Sequence, residues 1–440
     1  MSYASGFLEK WQERLRSTRP VRPEGKIVEV AGLGIQATGP SARIGEICVA
    51  HPDGGPPVTL EVVGFRNDRL LLMPLGSMEG LAPGTPLEIS GEPRTVAVGP
   101  DIVGRVLGSL GQPIDQGPPV AAVARVPLVQ SPPPPLSRER ITEPFVTGVR
   151  AIDGCITCGK GQRVGIMAGS GIGKSKLIGM MARNTRADVN VIALIGERGR
   201  EVREFLENDL GEEGLRRSVV VVATSDEPPL LRISGAYVAT AVAEWFRDQG
   251  MDVLLLMDSV TRFAMAQREV GLAIGEPPAT RGYPPSVFAL LPKLLERAGN
   301  AEQGSITGFY AVLVEADDLN DPVGDAVRSI LDGHVALSRA LASRGHYPAI
   351  DVLESISRSM IDVVSEEHME LATRMRRHLA VYRDAEDLIN IGAYAQGSNP
   401  DIDEAIRLNP TIRAFLVQGL REKFDFEEVV PAMRRALGRP

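Results

Sequence analysis

A glycine-rich segment between a predicted strand and a predicted helix constrains the fold of this chain more than any other feature. Residues 168–175 read Ala-Gly-Ser-Gly-Ile-Gly-Lys-Ser, after the apolar run 162–167 and before the helical pattern of 177–183. This order is typical of a phosphate-binding loop, because glycines let backbone N–H groups point at phosphate oxygens and the helix N-terminus adds its dipole. Ala168 stands where the strict pattern has glycine, but the glycines that follow still allow the tight turn. The segment therefore predicts a nucleotide site.

The residues of this loop have separate predicted roles. Lys174 is placed to contact the β- and γ-phosphates, and the Ser175 hydroxyl to bind Mg²⁺. A plain glycine turn would explain the glycines but not the lysine. ATP and Mg²⁺ are thus the predicted ligands, and the remaining contacts would come from the loop itself: Ala168, Gly169, Ser170, Gly171, Ile172 and Gly173.

Two acidic residues follow other apolar runs. Asp258 ends the run 252–257, and an acidic residue there, after such a loop, is expected to hold Mg²⁺ through water. Glu197 follows the run 189–195 and is a candidate for orienting the water that attacks the γ-phosphate; the alternative is a solvated loop carboxylate. Because open α/β sheets bind ligands beyond the carboxyl ends of their strands, we expect the loop and both acids to meet at one edge.

The patterning changes along the chain and predicts several domains. Short apolar runs separated by turn signals predict a small β-barrel or sandwich over 25–98. From 99 to 360, continuous apolar runs alternate with helical periods, which is typical of a parallel sheet covered on both faces. Within it, the Pro- and Gly-rich segment 111–137 is expected to be a semi-rigid connector. Residues 361–440 are predicted to be mostly helical, and residues 1–24 to form a separate tail.

The tail contains one amphipathic pattern. Phe7, Trp11 and Leu15 recur every four residues between positions 4 and 18, so they would form one apolar stripe on a helix. Such a helix either docks on its own domain or is offered to a partner or an anionic membrane surface.

Composition excludes several classes of protein. The 440 residues carry a net charge of −8, which argues against a protein held globally on nucleic acid. The chain has only three cysteines, which excludes a disulfide scaffold, and Cys155 and Cys158 lack a second pair to complete a zinc site. No apolar run approaches the ~20 residues that span a bilayer, so we expect a cytoplasmic protein with at most peripheral membrane contact.

Longer segments carry a family resemblance. The run GERGREVREF (196–205), the loop AGSGIGKS and the runs 254–300 and 304–358 closely resemble the ATPases of bacterial type III export systems, above all the flagellar ones. The family is similar to rotary ATPase β subunits. The resemblance implies an N-terminal β-barrel, a RecA-like α/β core and a C-terminal helical domain. It also implies a homohexameric ring that hydrolyses ATP to support export of unfolded subunits at the cytoplasmic face of the inner membrane.

The resemblance also assigns catalytic residues and partners. It places Glu197 as the catalytic glutamate with Arg198 beside it, Arg262 near the γ-phosphate, and Arg358 as an arginine finger reaching a neighbouring subunit's site. In such a position an arginine stabilises charge on the transferring phosphoryl group. The implied partners are a regulator that binds the N-terminal helix, a central stalk protein, and export substrates or their chaperones.

Three further positions are interpreted through relatives. Tyr347 matches the aromatic residue that stacks on adenine; the alternative from sequence alone is a core tyrosine at a turn. Lys176 stands where relatives usually have Thr or Val, and it either lies over the phosphates or points to solvent. The segment 271–285 faces the central pore in relatives, which suggests a contact with the export substrate or the stalk.

Three alternatives compete with a flagellar export ATPase. A non-catalytic ring subunit would lack a carboxylate at the position of Glu197. A hexameric RNA translocase needs a basic, aromatic platform in its barrel, and 25–98 holds one aromatic residue, Phe65. The ATPase of a virulence injectisome shares every motif named here, although Asn300 and the C-terminal run look more flagellar.

Overall fold

The computed structural model describes residues 24–39, 41–314 and 321–438. The predicted N-terminal helix over 4–18 lies outside them. The chain divides into two compact units. One contains the described residues up to Arg94 together with Ala273–Glu276, and the other contains Thr95–Leu272 and the chain from Pro277 onward.

The first unit is a closed antiparallel barrel. Alternation of buried and exposed residues gives each strand one apolar face, and closure pairs every edge, so that no strand is left open. The strands follow the order β1-β2-β5-β4-β3-β6, and β6 pairs with β1 to close the ring. This confirms the predicted barrel, whose strands are β1 Glu24–Ala31, β2 Gly34–Thr38, β3 Glu46–Ala50, β4 Val58–Arg66, β5 Arg69–Pro74 and β6 Pro86–Pro93.

The second unit is built on a mostly parallel sheet. Its order is β19-β18-β12-β17-β15-β13-β14-β8, with β16 beside β17, and only β16 and β19 run antiparallel to their neighbours. Runs of Val, Ile and Leu bury both faces, as parallel strands require. The strands are β7 Thr95–Val98, β8 Val106–Leu107, β9 Ala124–Pro127, β10 Pro144–Phe145, β11 Cys158–Gly159, β12 Arg163–Ala168, β13 Val189–Glu197, β14 Ser218–Thr224, β15 Asp252–Asp258, β16 Gly299–Asn300, β17 Ser305–Leu313, β18 Gly333–Leu337 and β19 Ile350–Ser357.

Helices cover this sheet and form the C-terminal region. Ser365 and Asn399 accept hydrogen bonds from backbone N–H groups two or three residues on, so both cap the helices that follow them. The α-helices are α1 Arg150–Cys155, α2 Lys174–Asn184, α3 Gly199–Glu204, α4 Gly211–Leu215, α5 Pro229–Arg247, α6 Val260–Ala273, α7 Pro285–Leu295, α8 Pro322–Ile330, α9 Arg339–Ser343, α10 Met360–Val363, α11 Glu366–Asn390, α12 Pro400–Leu416 and α13 Val429–Ala436, with a π-helical turn at Phe205–Leu210.

Strand β17 begins at Ser305, which pairs with Asp252 of β15 and whose hydroxyl donates to that carboxylate at 2.8 Å. One local feature differs from the sequence expectations. The predicted connector 111–137 contains β9, which pairs with β7. Within the described residues, every helix is too short or too polar to span a lipid bilayer.

Candidate active site

The phosphate loop lies between the central strand β12 and helix α2. Gly171 and Gly173 have φ of +78° and +95°, a left-handed conformation that favours glycine because it lacks a Cβ. Ala168 is the last residue of β12 and its carbonyl accepts the Val314 N–H at 3.0 Å. The backbone of Ala168 is extended, so alanine fits where the strict pattern has glycine. Ile172 is 2% exposed and anchors the loop in the core.

Three charged side chains meet at the carboxyl edge of the sheet, as the sequence predicts. Strands β13 and β15 are adjacent, and Leu194 pairs with Asp258, which brings Glu197 and Asp258 to the same edge. The Lys174 ammonium contacts the Asp258 carboxylate and lies 3.5 Å from a Glu197 oxygen. The three side chains are between 3% and 17% exposed. The lysine is therefore held by two carboxylates.

This arrangement perturbs Glu197. Burial raises the pKa of its carboxyl, the negative charge of Asp258 raises it further, and Lys174 opposes both, with a resulting pKa of about 7. A carboxyl with a pKa near the working pH can accept and return a proton, which suits a residue that orients an attacking water.

Arg262 lies against the chain just before Glu197. Gly196 has φ of +73°, and a Cβ placed there would come within 2.9 Å of the Arg262 Cβ and Cγ atoms. The side chain of Arg262 therefore packs over Gly196. Its buried Nε atom has no hydrogen-bond partner among the described residues. Buried polar atoms are almost always paired, so this guanidinium fits an additional, negatively charged group at the site.

Two other predicted residues lie nearby but differ in exposure. The Arg198 side chain is 77% exposed and pairs with Glu201 at 3.4 Å, so within one chain it does not enter the cluster around Lys174. The Tyr347 ring is 41% exposed, and its carbons lie 3.6–3.7 Å from where a Gly173 Cβ would be. An exposed ring against the phosphate loop is free to stack on a base.

The helix that follows the loop places Ser175 and Lys176 differently. Ser175 is half-buried in the first turn of α2, and Lys176 is exposed. The Lys176 charge acts on Asp209 of the π-helical turn, whose pKa is raised by burial and lowered by Lys176. The lysine therefore lies near the π-helical turn.

One contact to the loop was not predicted from the sequence. The Arg339 guanidinium donates to the Ser170 carbonyl oxygen at 3.4 Å. Arg339 opens α9, directly after β18, which is adjacent to β12. The available signal was position: residues that follow a strand next to the loop strand lie close to the loop. No motif marks this arginine.

Arg358 lies at the other end of the sheet. Its N–H bonds the Asp332 carbonyl oxygen at 3.0 Å, and the Asp332 N–H bonds the carbonyl oxygen of Arg163, the first residue of β12. Five residue steps of strand separate Arg163 from the loop at Ala168, which is about 16 Å. The Arg358 side chain is exposed. The structure therefore does not bring Arg358 together with the loop of its own chain.

The donor set suits a magnesium nucleotide. Mg²⁺ prefers oxygen ligands and keeps several waters, and Ser175 and Asp258 offer a hydroxyl and a carboxylate. Lys174, Arg262 and the loop N–H groups offer positive charge to phosphates. Within the described residues no cluster of His, Cys, Asp and Glu forms a separate metal site, and Cys155 and Cys158 are buried free thiols.

Comparison with known proteins identifies the family. A model of the ATP synthase alpha/beta family nucleotide-binding domain matches residues 148–357, and one of the T3SS EscN ATPase C-terminal domain matches 364–435. The chain is 53% identical to the flagellum-specific ATP synthase of Bacillus subtilis, over 94% of this chain and 95% of that protein. It belongs to the flagellar and type III secretion ATPase family. This confirms the resemblance read from the sequence.

Other members of this ATPase family agree in sequence and fold. The type 3 secretion system ATPase of Xanthomonas euvesicatoria is 53% identical over 96% of each chain. The assembled ATPase EscN of enteropathogenic E. coli, solved with its central stalk EscO, has a TM-score of 0.87 and 45% identity, covering 94% of this chain and 100% of that one. Membership of this family also confirms the predicted enzyme class, an ATPase.

Proposed function

We propose that this protein hydrolyses MgATP at the interfaces of a homohexameric ring and so energises type III export of unfolded flagellar subunits. The position of Arg358 carries the proposal. Because it lies at the opposite end of β12 from the phosphate loop, it cannot complete the site of its own chain. A second copy would supply it, and the assembled state of the relative EscN supports such a ring.

The loop and its lysine hold the nucleotide in this proposal. Lys174 leaves the carboxylates of Asp258 and Glu197 for the phosphate oxygens, and the N–H groups of 171–175 add hydrogen bonds. Tyr347 stacks on the adenine, and Lys176 adds positive charge beside the phosphate loop. Ser175 and Asp258 would hold Mg²⁺, which would neutralise phosphate charge when bound with ATP.

The chemical step depends on groups that face the γ-phosphate. Glu197 orients the attacking water by accepting its hydrogen bond, and its raised pKa lets it hold a proton transiently. Arg262 from the same chain and Arg358 from the neighbour stabilise negative charge on the transferring phosphoryl group. Arg198 follows Glu197 at the exposed rim, where a neighbouring subunit would meet it.

The proposed partners extend beyond the ring. The N-terminal tail, 1–24, binds a regulator of the ATPase, and a central stalk protein contacts the ring, as EscO does in the relative. Export substrates or their chaperones meet the ring at the segment 271–285. The protein works in the cytoplasm, in peripheral contact with the export gate of the inner membrane, and binds no nucleic acid.

The test is a pair of matched substitutions. Glu197→Gln should reduce ATP hydrolysis by about 10²–10⁴-fold, because it removes a general-base carboxylate, while a fluorescent ATP analogue still binds. Glu204→Gln is the control, since Glu204 is an exposed acid a few residues on that pairs with Arg200. Normal hydrolysis by Glu197→Gln would refute the role assigned to this carboxylate.

A second candidate function is energising a virulence injectisome. The 53% identity to the Xanthomonas type 3 secretion system ATPase favours it. Expression of the gene in two deletion strains, one without its flagellar ATPase and one without its injectisome ATPase, separates the two. Restored swimming without restored effector secretion supports flagellar export, and the reverse result supports the injectisome.

A further inference from the structure

A cavity separate from the phosphate loop lies between the nucleotide-binding core and the C-terminal helices. It has a volume of about 110 Å³ and is bounded by residues of β19 and of the segment from α9 to Ile350 on one side and by α11 and α12 on the other. Its lining is largely apolar and includes Leu341, Ile350, Val352, Leu379 and Leu416. This volume is below the roughly 150 Å³ of a cavity that accepts a benzene ring, so it suits a short alkyl chain.

One buried side-chain nitrogen of this cavity forms no hydrogen bond within the described part of the chain. His346 lines it and is 6% exposed, and its Nε2 atom forms no hydrogen bond among the described residues. The backbone N–H of His346 bonds the Leu341 carbonyl oxygen at 3.0 Å, so the residue itself is fixed. Because buried polar side-chain atoms are usually satisfied, the free nitrogen indicates room for a ligand atom that hydrogen-bonds to it.

The charged residues of the cavity carry an excess of positive charge. Arg344 pairs with Glu386 at 2.6 Å, and Arg383 pairs with Asp351 at 3.6 Å and with Glu354, outside the lining, at 3.1 Å. Arg413 also lines the cavity and forms no ion pair within the described part of the chain. Burial and the charge of Arg413 lower the pKa of His346, and the charge of Asp351 opposes them. One arginine is thus left for an anionic group.

We infer that this cavity binds a small molecule with an apolar body and a carboxylate. The apolar body would fill the space between Val352 and Leu379, and the carboxylate would pair with Arg413 and accept a hydrogen bond from His346. Both acids of the lining already have arginine partners, so they leave Arg413 to the ligand.

The ligand would also influence the nucleotide site. His346 directly precedes Tyr347, whose ring lies beside Gly173 of the phosphate loop. Fixing His346 should therefore fix the ring and change nucleotide affinity, and nucleotide should change ligand affinity by the same factor. This second part rests on the proposed contact between Tyr347 and adenine.

Three probes of one shape test the site on the full chain without nucleotide. Hexanoate, hexan-1-ol and hexylammonium share an alkyl body and differ in charge, and isothermal titration calorimetry measures their binding. Hexanoate should bind at least about tenfold more tightly than hexan-1-ol, since a charge-assisted pair with the half-buried Arg413 adds to the apolar contact. Hexylammonium should bind least. No saturable binding of hexanoate, or equal binding of hexylammonium, would overturn the inference.

A matched pair of arginine substitutions locates the binding. Arg413→Gln should weaken hexanoate about tenfold and leave hexan-1-ol unchanged. Arg407→Gln, on the same helix but exposed and paired with Glu404, should change neither. An equal loss in both variants would overturn the assignment to this cavity. The comparison of probes on the unaltered chain does not depend on either variant folding.

The coupling has its own measurement. Affinity for ADP, measured with and without saturating hexanoate, should differ by at least about threefold. Binding of hexanoate without this difference would overturn the coupling but not the site. If Tyr347→Ala left ADP affinity unchanged, the proposed adenine contact would fail instead, so the two failures are distinguishable.

Discussion

The position of Arg358 leads to a quantitative prediction for mixed rings. Each proposed site takes Glu197 from one chain and Arg358 from the next, so Glu197→Gln and Arg358→Ala disable opposite sides of an interface. Each variant alone should lose on the order of 10³-fold in turnover, the scale of an arginine finger. In a ring assembled at random from equal amounts of both, about one interface in four combines an intact Glu197 with an intact Arg358.

The predicted rate follows from that fraction. The mixture should hydrolyse ATP at about one quarter of the unaltered rate per site, although neither component is active. A coupled ATPase assay at several protein concentrations measures it, and the recovered rate should rise with concentration because assembly is required. Arg377→Ala is the control for loss of a surface arginine, because Arg377 lies on α11 and pairs with Asp401 at 3.3 Å.

Two results would refute the shared site. Arg358→Ala could retain turnover at every concentration, which would mean that each chain works alone. The mixture could also remain as inactive as its components although light scattering shows rings of mixed composition. In that case Arg358 and Glu197 would not act at the same interface.

Three other predictions follow from the buried charges and the exposed ring. Because the pKa of Glu197 is raised, its ionised form is less favourable in the folded than in the unfolded chain, and this destabilisation grows as the pH rises from about 4.5 through 7. Glu197→Gln should therefore raise the melting temperature of the nucleotide-free chain more at pH 8.5 than at pH 5; an equal effect at both would contradict the shift. Arg297→Met should cost about 3–5 kcal/mol in urea unfolding, because it leaves Glu244 buried at 3% exposure without its partner. The double substitution with Glu244→Leu should recover most of that loss, and failure to do so would point to lost packing instead. Tyr347→Ala should weaken ATP binding at least about fivefold in equilibrium titrations, whereas Tyr347→Phe should not, since only the ring is used.

Much of the fold could be predicted because its signals are local. The predicted run 162–167 overlaps β12 at all but one residue, and the predicted helical region from 361 onward begins with the short α10 and the long α11. The loop and Asp258 meet because parallel strands end at one edge, which is a property of the fold class and needs no knowledge of distant contacts. The roles of the individual site residues remain predictions that the experiments above test.

Other features depend on contacts between distant segments and were not predicted. That Arg358 lies at the opposite end of β12 from its own loop depends on β19 turning back against β18. The Arg339 contact with Ser170 joins residues 169 positions apart. Packing between distant segments likewise buries the ion pair of Arg297 and Glu244. It also leaves the Nε2 atom of His346 without a hydrogen-bond partner among the described residues. No periodicity in the sequence marks side chains of this kind.

The antiparallel course of β19 has a mechanical consequence. The strand begins shortly after Tyr347, beside the chain's own phosphate loop, and ends at Ser357, directly before Arg358, which the proposed ring offers to the next loop. The eight residues of β19, about 24 Å from end to end, thus connect two consecutive binding sites of the proposed ring. A tilt of this strand on nucleotide binding at one site would move Arg358 at the other site. It would need no change in the barrel or the helices. Nucleotide binding in one chain could then shift the arginine that the same chain supplies to its neighbour's site, through the movement of a single strand.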